Sequence, residues 1–336
     1  MLSCIYLTRA CPYKCRYCAL RDSPLQGPEL SAKEWGHAFA ILHDLGVEFD
    51  LLLGNELLAR DDIVEIVKGL NKMDVPYGFY TTCPPKLMDK HAAALVGIGL
   101  SNASSGFDIL TEFAGPDIDP YILHKSELGL QGLKWFRDQG VPDLQGTMTL
   151  SKINVHVLDS LIGVLTSERI WCGVNTIHWD VDGGFDFFPK REVIENLLLT
   201  QEDIDRAAVI IQGLYTAGKL AIQNPLDYWD AWREYGVNLN WHCNLPMIYT
   251  VDADGSMRCC GYRKGTYSPQ FTIFDLETQD GIDAFWEAWL KDQRECPGCF
   301  WAYGWLAERL LIHEEDKVFG LNVFQTHDSK TYSMAC

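Results

Sequence analysis

Apolar and polar positions along this chain alternate between two periods. Residues 2–8 suit a strand, and after Ser31, a ready helix N-cap, the apolar Trp35, Phe39, Ile41 and Leu42 recur at helical spacing. Residues 48–53 read as a strand and 61–72 as a helix with Ile63, Ile66, Val67 and Leu70 on one face. The pattern continues with a β-rich 76–82, a helix at 86–97, a strand at 98–103 and a helix at 121–139 closed by Gly140. A strand at 144–150, a helix at 155–166 and a sixth strand at 174–181 complete the series. Strand and helix alternating six times predict an α/β fold, a parallel sheet with helices outside. A further helix follows at 201–217.

Past about residue 230 the texture changes. Asp252-Ala-Asp-Gly255 sits between β-compatible runs within 248–263 and predicts a hairpin, followed by aromatic-rich helices at 281–294 and 300–314. This places a boundary between 220 and 240, giving a large domain over 1–230, a small one over 231–320 and a tail over 321–336.

Charge and composition narrow the partners. The 336 residues hold 46 acids against 28 Lys and Arg, a net charge of −18, which disfavours bulk nucleic-acid or anionic-membrane binding. Apolar stretches fall well short of the ~20 residues that span a bilayer, and no signal peptide opens the chain. A cytoplasmic location is expected. Arg9, Lys14, Arg16 and Arg21 make a local basic patch in one short loop.

Twelve cysteines without a secretion signal point to metal or redox chemistry rather than disulfides. Cys11-Pro-Tyr-Lys-Cys15-Arg-Tyr-Cys18 follows the first strand directly. Three thiolates so spaced can hold three irons of a [4Fe–4S] cube and leave the fourth iron open. A structural zinc site competes, although zinc motifs more often pair two Cys-x2-Cys units.

The CxxxCxxC loop after strand one resembles the radical SAM superfamily, as does Tyr17 just before the last cysteine. That resemblance implies a partial (β/α)6 TIM-like barrel and S-adenosylmethionine (SAM) on the open iron. It assigns Gly54-Asn55-Glu56 to the position of the family's Gly-Gly-Glu, which holds the amino group of SAM, with Asn a departure at the second glycine. It also implies small polar contacts to SAM from Ser104, beside Ser101 and Asn102, and from Thr147, Thr149 and Asn154. For each of these a helix-capping role competes. Asp180 and Asp182, after the sixth strand, are candidates to orient substrate or take a proton, with turn acids as the competing reading. His178 reads as a buried structural histidine.

A second group comprises Cys243, then Gly255 and Cys260, then Cys296-Pro-Gly-Cys299. This order resembles the twitch domain, the shortened SPASM form, and implies a small α+β domain with an auxiliary [4Fe–4S] cluster. Cys259 rivals Cys260, and adjacent strand residues face opposite ways. A zinc staple competes here too. Cys4, Cys83, Cys172 and Cys336 have no partner pattern and are expected to be free thiols.

The implied activity is reductive cleavage of SAM to a 5′-deoxyadenosyl radical that abstracts a substrate hydrogen atom. The leading expectation is a dehydrogenase-like oxidoreductase acting on a small polar metabolite, passing an electron to the auxiliary cluster. Flavodoxin or ferredoxin is the expected donor, docking on the basic patch. The alternatives are a peptide or protein maturase, a radical rearrangement or carbon–carbon coupling, and a zinc-stapled binding protein. Many peptide maturases carry an N-terminal leader-binding domain, for which a motif beginning at Cys11 leaves no room.

Overall fold

The computed structural model describes residues 2–15, 17, 18, 25, 27–116, 118–180, 188–217, 224, 226–242, 248–258, 271–296 and 298–300. The predicted alternation is present. Strands β1 (Leu2–Tyr6), β2 (Phe49–Leu53), β3 (Tyr77–Phe79), β4 (Asn102–Gly106), β5 (Asp143–Leu150) and β6 (Trp171–Thr176) are interleaved with helices α1 (Ala32–Asp44), α2 (Ile63–Met73), α3 (Pro85–Gly97), α4 (Pro120–Asp138) and α5 (Leu158–Ser167). Helices α6 (Arg191–Ile194), α7 (Gln201–Thr216) and α8 (Leu226–Tyr235) follow, then strands β7 (Ile248–Val251) and β8 (Met257–Arg258) and helix α9 (Gln279–Arg294).

The sheet order is β3-β2-β1-β7-β8 in one part and β4-β5-β6 in the other. A parallel bridge between Tyr80 and Ser104 joins the two parts. The amide of Asn102 strengthens that seam, accepting from the Phe79 N–H at 2.8 Å and donating to the Tyr77 carbonyl. The first six strands therefore form one curved parallel sheet, a partial (β/α)6 barrel with its helices outside.

Local signals explain most elements. Ser31 and Glu34 form a reciprocal capping box that starts α1. Its buried face, Trp35, Ala38, Phe39, Ile41 and Leu42, packs in one core with Ile5, Leu7 and Leu52 from the outer face of the sheet. The opposite face of β1 and β2 contributes Cys4, Tyr6, Leu51 and Leu53 to a second, smaller cluster inside the barrel.

Two expectations are corrected, and one element is new. The fourth strand is Asn102–Gly106 rather than 98–103, because α3 ends in a turn in which the Leu100 N–H returns to Leu95 at 3.1 Å. The apolar Ile98 and Leu100 serve that turn, and the strand itself is the small-residue run after it. The sixth strand is Trp171–Thr176 rather than 174–181, since its pairing with β5 runs from Gln145–Trp171 to Leu150–Thr176. Helix α8 was not foreseen; Tyr228, Trp229 and Trp232 bury its inner face.

The hairpin lies where its Asp-Ala-Asp-Gly turn predicts, and β7 also pairs in parallel with β1 over Leu2–Ile248 to Ile5–Val251. It thus extends the barrel sheet. The expected helix at 300–314 lies outside the described residues apart from Phe300. Among the described residues no helix is long and apolar enough to cross a membrane.

Candidate functional site

The C-terminal ends of parallel strands form the mouth of such a barrel, where loops bring side chains from distant parts of the chain together. The loop after β1 carries Cys11, Cys15 and Cys18. Cys15 is buried, while Cys11 and Cys18 are half-buried. The loop is tightened by the Cys18 N–H donating to the Cys15 carbonyl at 3.1 Å, and the Tyr13 N–H points at the Cys11 sulfur at 3.4 Å. Burial pushes the Cys11 and Cys15 thiols up to about 11, with Cys18 adding to the rise and the Lys125 charge opposing it at both. Among the described residues no three His, Cys, Asp or Glu side chains converge as they would around one metal ion.

The end of β2 closes in on this loop. Gly54 has φ +148°, and a Cβ there would stand 2.9 Å from the Thr8 carbonyl oxygen, so only glycine lets β2 approach. Asn55 needs no such freedom, which resolves the departure from Gly-Gly-Glu. Its N–H donates to the Thr8 carbonyl at 3.0 Å and its side-chain amide to the Arg9 carbonyl at 2.5 Å. Its Oδ1 is buried and accepts no hydrogen bond among the described residues.

Glu56 is turned into the protein. Its carboxylate is fully buried and accepts from the Leu58 N–H, the Thr81 hydroxyl, and the Thr82 N–H and hydroxyl. Burial raises its pKa and these donors pull it back down. These hydrogen bonds tie the end of β2 to the segment that follows β3.

Sequence reasoning missed a buried ion pair at the mouth. Lys125, on the first turns of α4, reaches over the end of β4 to Asp108 at 2.6 Å and to the Tyr17 hydroxyl at 2.7 Å; Tyr17 also donates to Asp108. A Cβ on Gly106 would stand 2.9 Å from the Lys125 Nζ, so the lysine needs the bare backbone beneath it. Burial opposes the charge on Lys125, but Asp108, Tyr17 and Cys15 hold its pKa well above the ordinary value. The available signal was Lys125 at helical spacing between the buried Ile122 and Leu128.

Ser104 lies in the middle of β4, its hydroxyl 3.4 Å from Gln145, and not at a strand end. Asn154 is buried and spent on structure: its amide donates to the Asp108 and Thr149 carbonyls and its oxygen accepts from the Ser151 N–H. A Cβ on Gly146 would touch Leu165 of α5, which marks the helix side of β5, so Thr147 and Thr149 face the interior. Asn175 lies opposite Thr149 in β6 and shares that wall.

Asp180 follows β6, its N–H bonded to the Pro189 carbonyl at 3.0 Å; Asp182 lies outside the described residues. His178 is the buried structural histidine expected. Its ring stacks on Phe188 with centroids 5.0 Å apart and its Nε2 donates to the Phe300 carbonyl at 3.1 Å.

Of the second cysteine group, Cys243, Cys259 and Cys260 lie outside the described residues. Cys296 and Cys299 pack with Cys4, Tyr6 and Phe188 inside the barrel. The basic patch loses one expected member, since the half-buried Arg9 is paired with Asp252. Arg16 and Arg21 lie outside the described residues, and Lys14 is exposed.

Residues 5–161 match the family model of the radical SAM superfamily. A PqqA peptide cyclase of Rhodopseudomonas palustris is 28% identical over 215 residues, covering 58% of this chain and 52% of that protein. A probable GTP 3',8-cyclase of Methanothermobacter thermautotrophicus is 34% identical over 122 residues, 36% of this chain and 38% of that protein. The chain thus spans about half or less of the length of these relatives. Among solved structures, SuiB of Streptococcus suis superposes with a TM-score of 0.61 at 14% identity, over 84% of this chain and 64% of that one. The anSMEcpe structure with bound AdoMet gives 0.53 at 14%, over 84% and 83%. At such identities the likeness is one of fold, and the fold is the partial barrel described above.

Proposed function

We propose that this chain is a radical SAM enzyme that modifies a peptide or protein substrate. The observation that carries the reading is the three-cysteine loop at the barrel mouth, within reach of the Lys125 charge and beside a buried acceptor on Asn55. This donor set fits a cluster and an amino-acid ligand. Cys11, Cys15 and Cys18 would hold the [4Fe–4S] cluster. Asn55 offers an oxygen to an ammonium group, and Lys125 offers its charge to a carboxylate. When bound, the cluster and SAM supply a carbon-centred radical able to take hydrogen from an unactivated carbon.

The chain's own residues prepare the site. Asp108 and Tyr17 fix the Lys125 ammonium so that it need not reorganise when a ligand arrives. Glu56 with Thr81 and Thr82 fixes the end of β2, and with it the position of Asn55. Thr147, Thr149 and Asn175 give the facing wall neutral donors and acceptors. Cys243, Cys260, Cys296 and Cys299 would hold the auxiliary cluster within 231–320. Net oxidation of the substrate, with Asp180 or Asp182 taking the proton, belongs to the same proposal.

The substrate class rests on the PqqA peptide cyclases and on a fold shared with SuiB, which was solved with the precursor peptide SuiA. These favour a peptide over the small metabolite expected at first. A nucleotide is the second candidate, on the shorter match to the GTP 3',8-cyclase. The test is anaerobic reconstitution followed by electron paramagnetic resonance with and without SAM, then mass spectrometry of candidate peptides incubated with enzyme, SAM and reductant. A SAM-responsive signal and a peptide that loses hydrogens support the reading. A signal that ignores SAM ends it, and a modified nucleotide with unmodified peptides redirects it.

A further inference from the structure

The segment that follows β2 and opens with Gly54 and Asn55 also carries Arg60, whose side chain is only 6% exposed. Its Nη1 donates to the Leu7 carbonyl at 2.7 Å and its Nη2 to the Leu30 carbonyl at 2.6 Å. Nε and Nη2 also grip the Asp62 carboxylate as a fork, both at 2.8 Å. Leu7 leads into the three-cysteine loop and Leu30 leads out of it, so one side chain holds both roots of that loop. A lysine cannot replace it, because only a planar guanidinium presents several donors in fixed directions at once.

Glu29 closes the roots from the outside. Its Oε1 accepts from the Thr8 hydroxyl at 2.9 Å and from the Arg9 N–H at 2.8 Å, and its Oε2 lies 3.5 Å from Arg60. Asp62 carries the same fastening into α1, accepting from the Ala32 N–H at 3.0 Å. Asn55 binds the entering root as well, its N–H on the Thr8 carbonyl and its side-chain amide on the Arg9 carbonyl. Residues 7–9 are thus held by one stretch of chain, with Asn55 at its start and Arg60 near its end. Buried carbonyls need donors, but Leu7 and Leu30 could take theirs from separate groups. Sharing one guanidinium fixes the loop's two ends relative to each other and to Asn55.

We propose that Arg60 is a positioning residue which, with Asp62 and Glu29, keeps the first cysteine loop in register with Asn55. The inference deepens the proposed reading and rests on it: the loop holds a cluster, and Asn55 accepts from the ammonium group of SAM. That ligand must reach an iron and the Asn55 oxygen together, and a misplacement of about 1 Å between them is costly. Loosening the roots leaves the three thiols able to hold iron but spoils this spacing.

The test uses the reconstituted full chain, with iron content, SAM affinity by equilibrium dialysis, the rate of iron removal by a chelator, and thermal unfolding measured together. Arg60→Lys keeps the charge and loses the fork. It should retain the wild-type iron content, bind SAM about tenfold more weakly and release iron about tenfold faster. Glu29→Gln, at the more exposed rim, should shift both by about threefold. Leu70→Ala, on the buried face of α2, lowers stability without touching the roots and should bind SAM as the wild type does. Wild-type SAM affinity in Arg60→Lys overturns the proposal, as does an equal loss of affinity in Leu70→Ala. If Arg60→Lys does not fold, Glu29→Gln decides, and unchanged affinity and iron release there overturn it. A wild-type cluster signal that ignores SAM ends instead the reading on which the proposal rests.

Discussion

Cys11, Cys15 and Cys18 come from one loop, in which a backbone hydrogen bond from Cys18 to Cys15 closes a turn. Cys296 and Cys299 arrive from the far end of the chain and lie against β1, in contact with a cluster that contains Cys4 and Tyr6. The first group is surrounded by committed charge, with Glu56 saturated by four donors and Lys125 held by Asp108 and Tyr17. The second is packed among apolar groups, Phe188, Leu51, Leu53 and Ile248. A site that must recruit a zwitterionic ligand needs fixed charges and open acceptors, whereas a site meant only to carry electrons is served by burial. The contrast supports different duties for the two groups.

The strongest test of that contrast is Cys15→Ala. It should remove about half of the iron and the whole SAM-responsive signal while the second group keeps its metal; loss of all iron would show that the two sites assemble as one. Lys125→Met should come next, destabilising the fold by about 3–5 kcal/mol because Asp108 is left charged and buried. Adding Asp108→Asn should recover part of that loss, and chemical denaturation measures both. Asn55→Ala should weaken SAM binding about tenfold or more, the worth of one hydrogen bond to a charged group at about 1.5–3 kcal/mol. Equilibrium dialysis checks it, and an unchanged affinity would remove Asn55 from the ligand's surroundings.

The smallest effect lies at the other end of the sheet and should leave both cysteine groups untouched. Burial pushes the Asp143 carboxyl from an ordinary 3.8 up to about 7. The folded state therefore holds this proton more tightly than the unfolded state. The stability so gained is full below about pH 4 and is lost as pH rises through about 7. Asp143→Asn should flatten that decline in denaturation curves taken across this window, with no change in either cluster's spectrum.

Legibility followed distance along the chain. The Ser31 helix cap and the hairpin turn at 252–255 were readable because their partners lie within four residues. Ser104 was placed at a strand end because Ile98 and Leu100 look strand-like, while the real strand is the weakly β-forming run after them. Arg9 read as part of a docking patch because its partner, Asp252, lies 243 residues away. Lys125 drew no notice for the same reason, since Asp108 and Tyr17 are needed to explain a cation on a buried face.

The sequence by itself determined the βα alternation, the helix starts and the three-thiol loop, since periodicity and short spacings are properties of neighbouring residues. Only the tertiary structure decided that β7 lies beside β1, that Glu56 turns inward while the Asn55 oxygen stays available, and that Arg9 pairs with Asp252. Those outcomes depend on which groups lose water together. That follows from the packing of segments far apart in the chain, where one buried charge requires another to meet it.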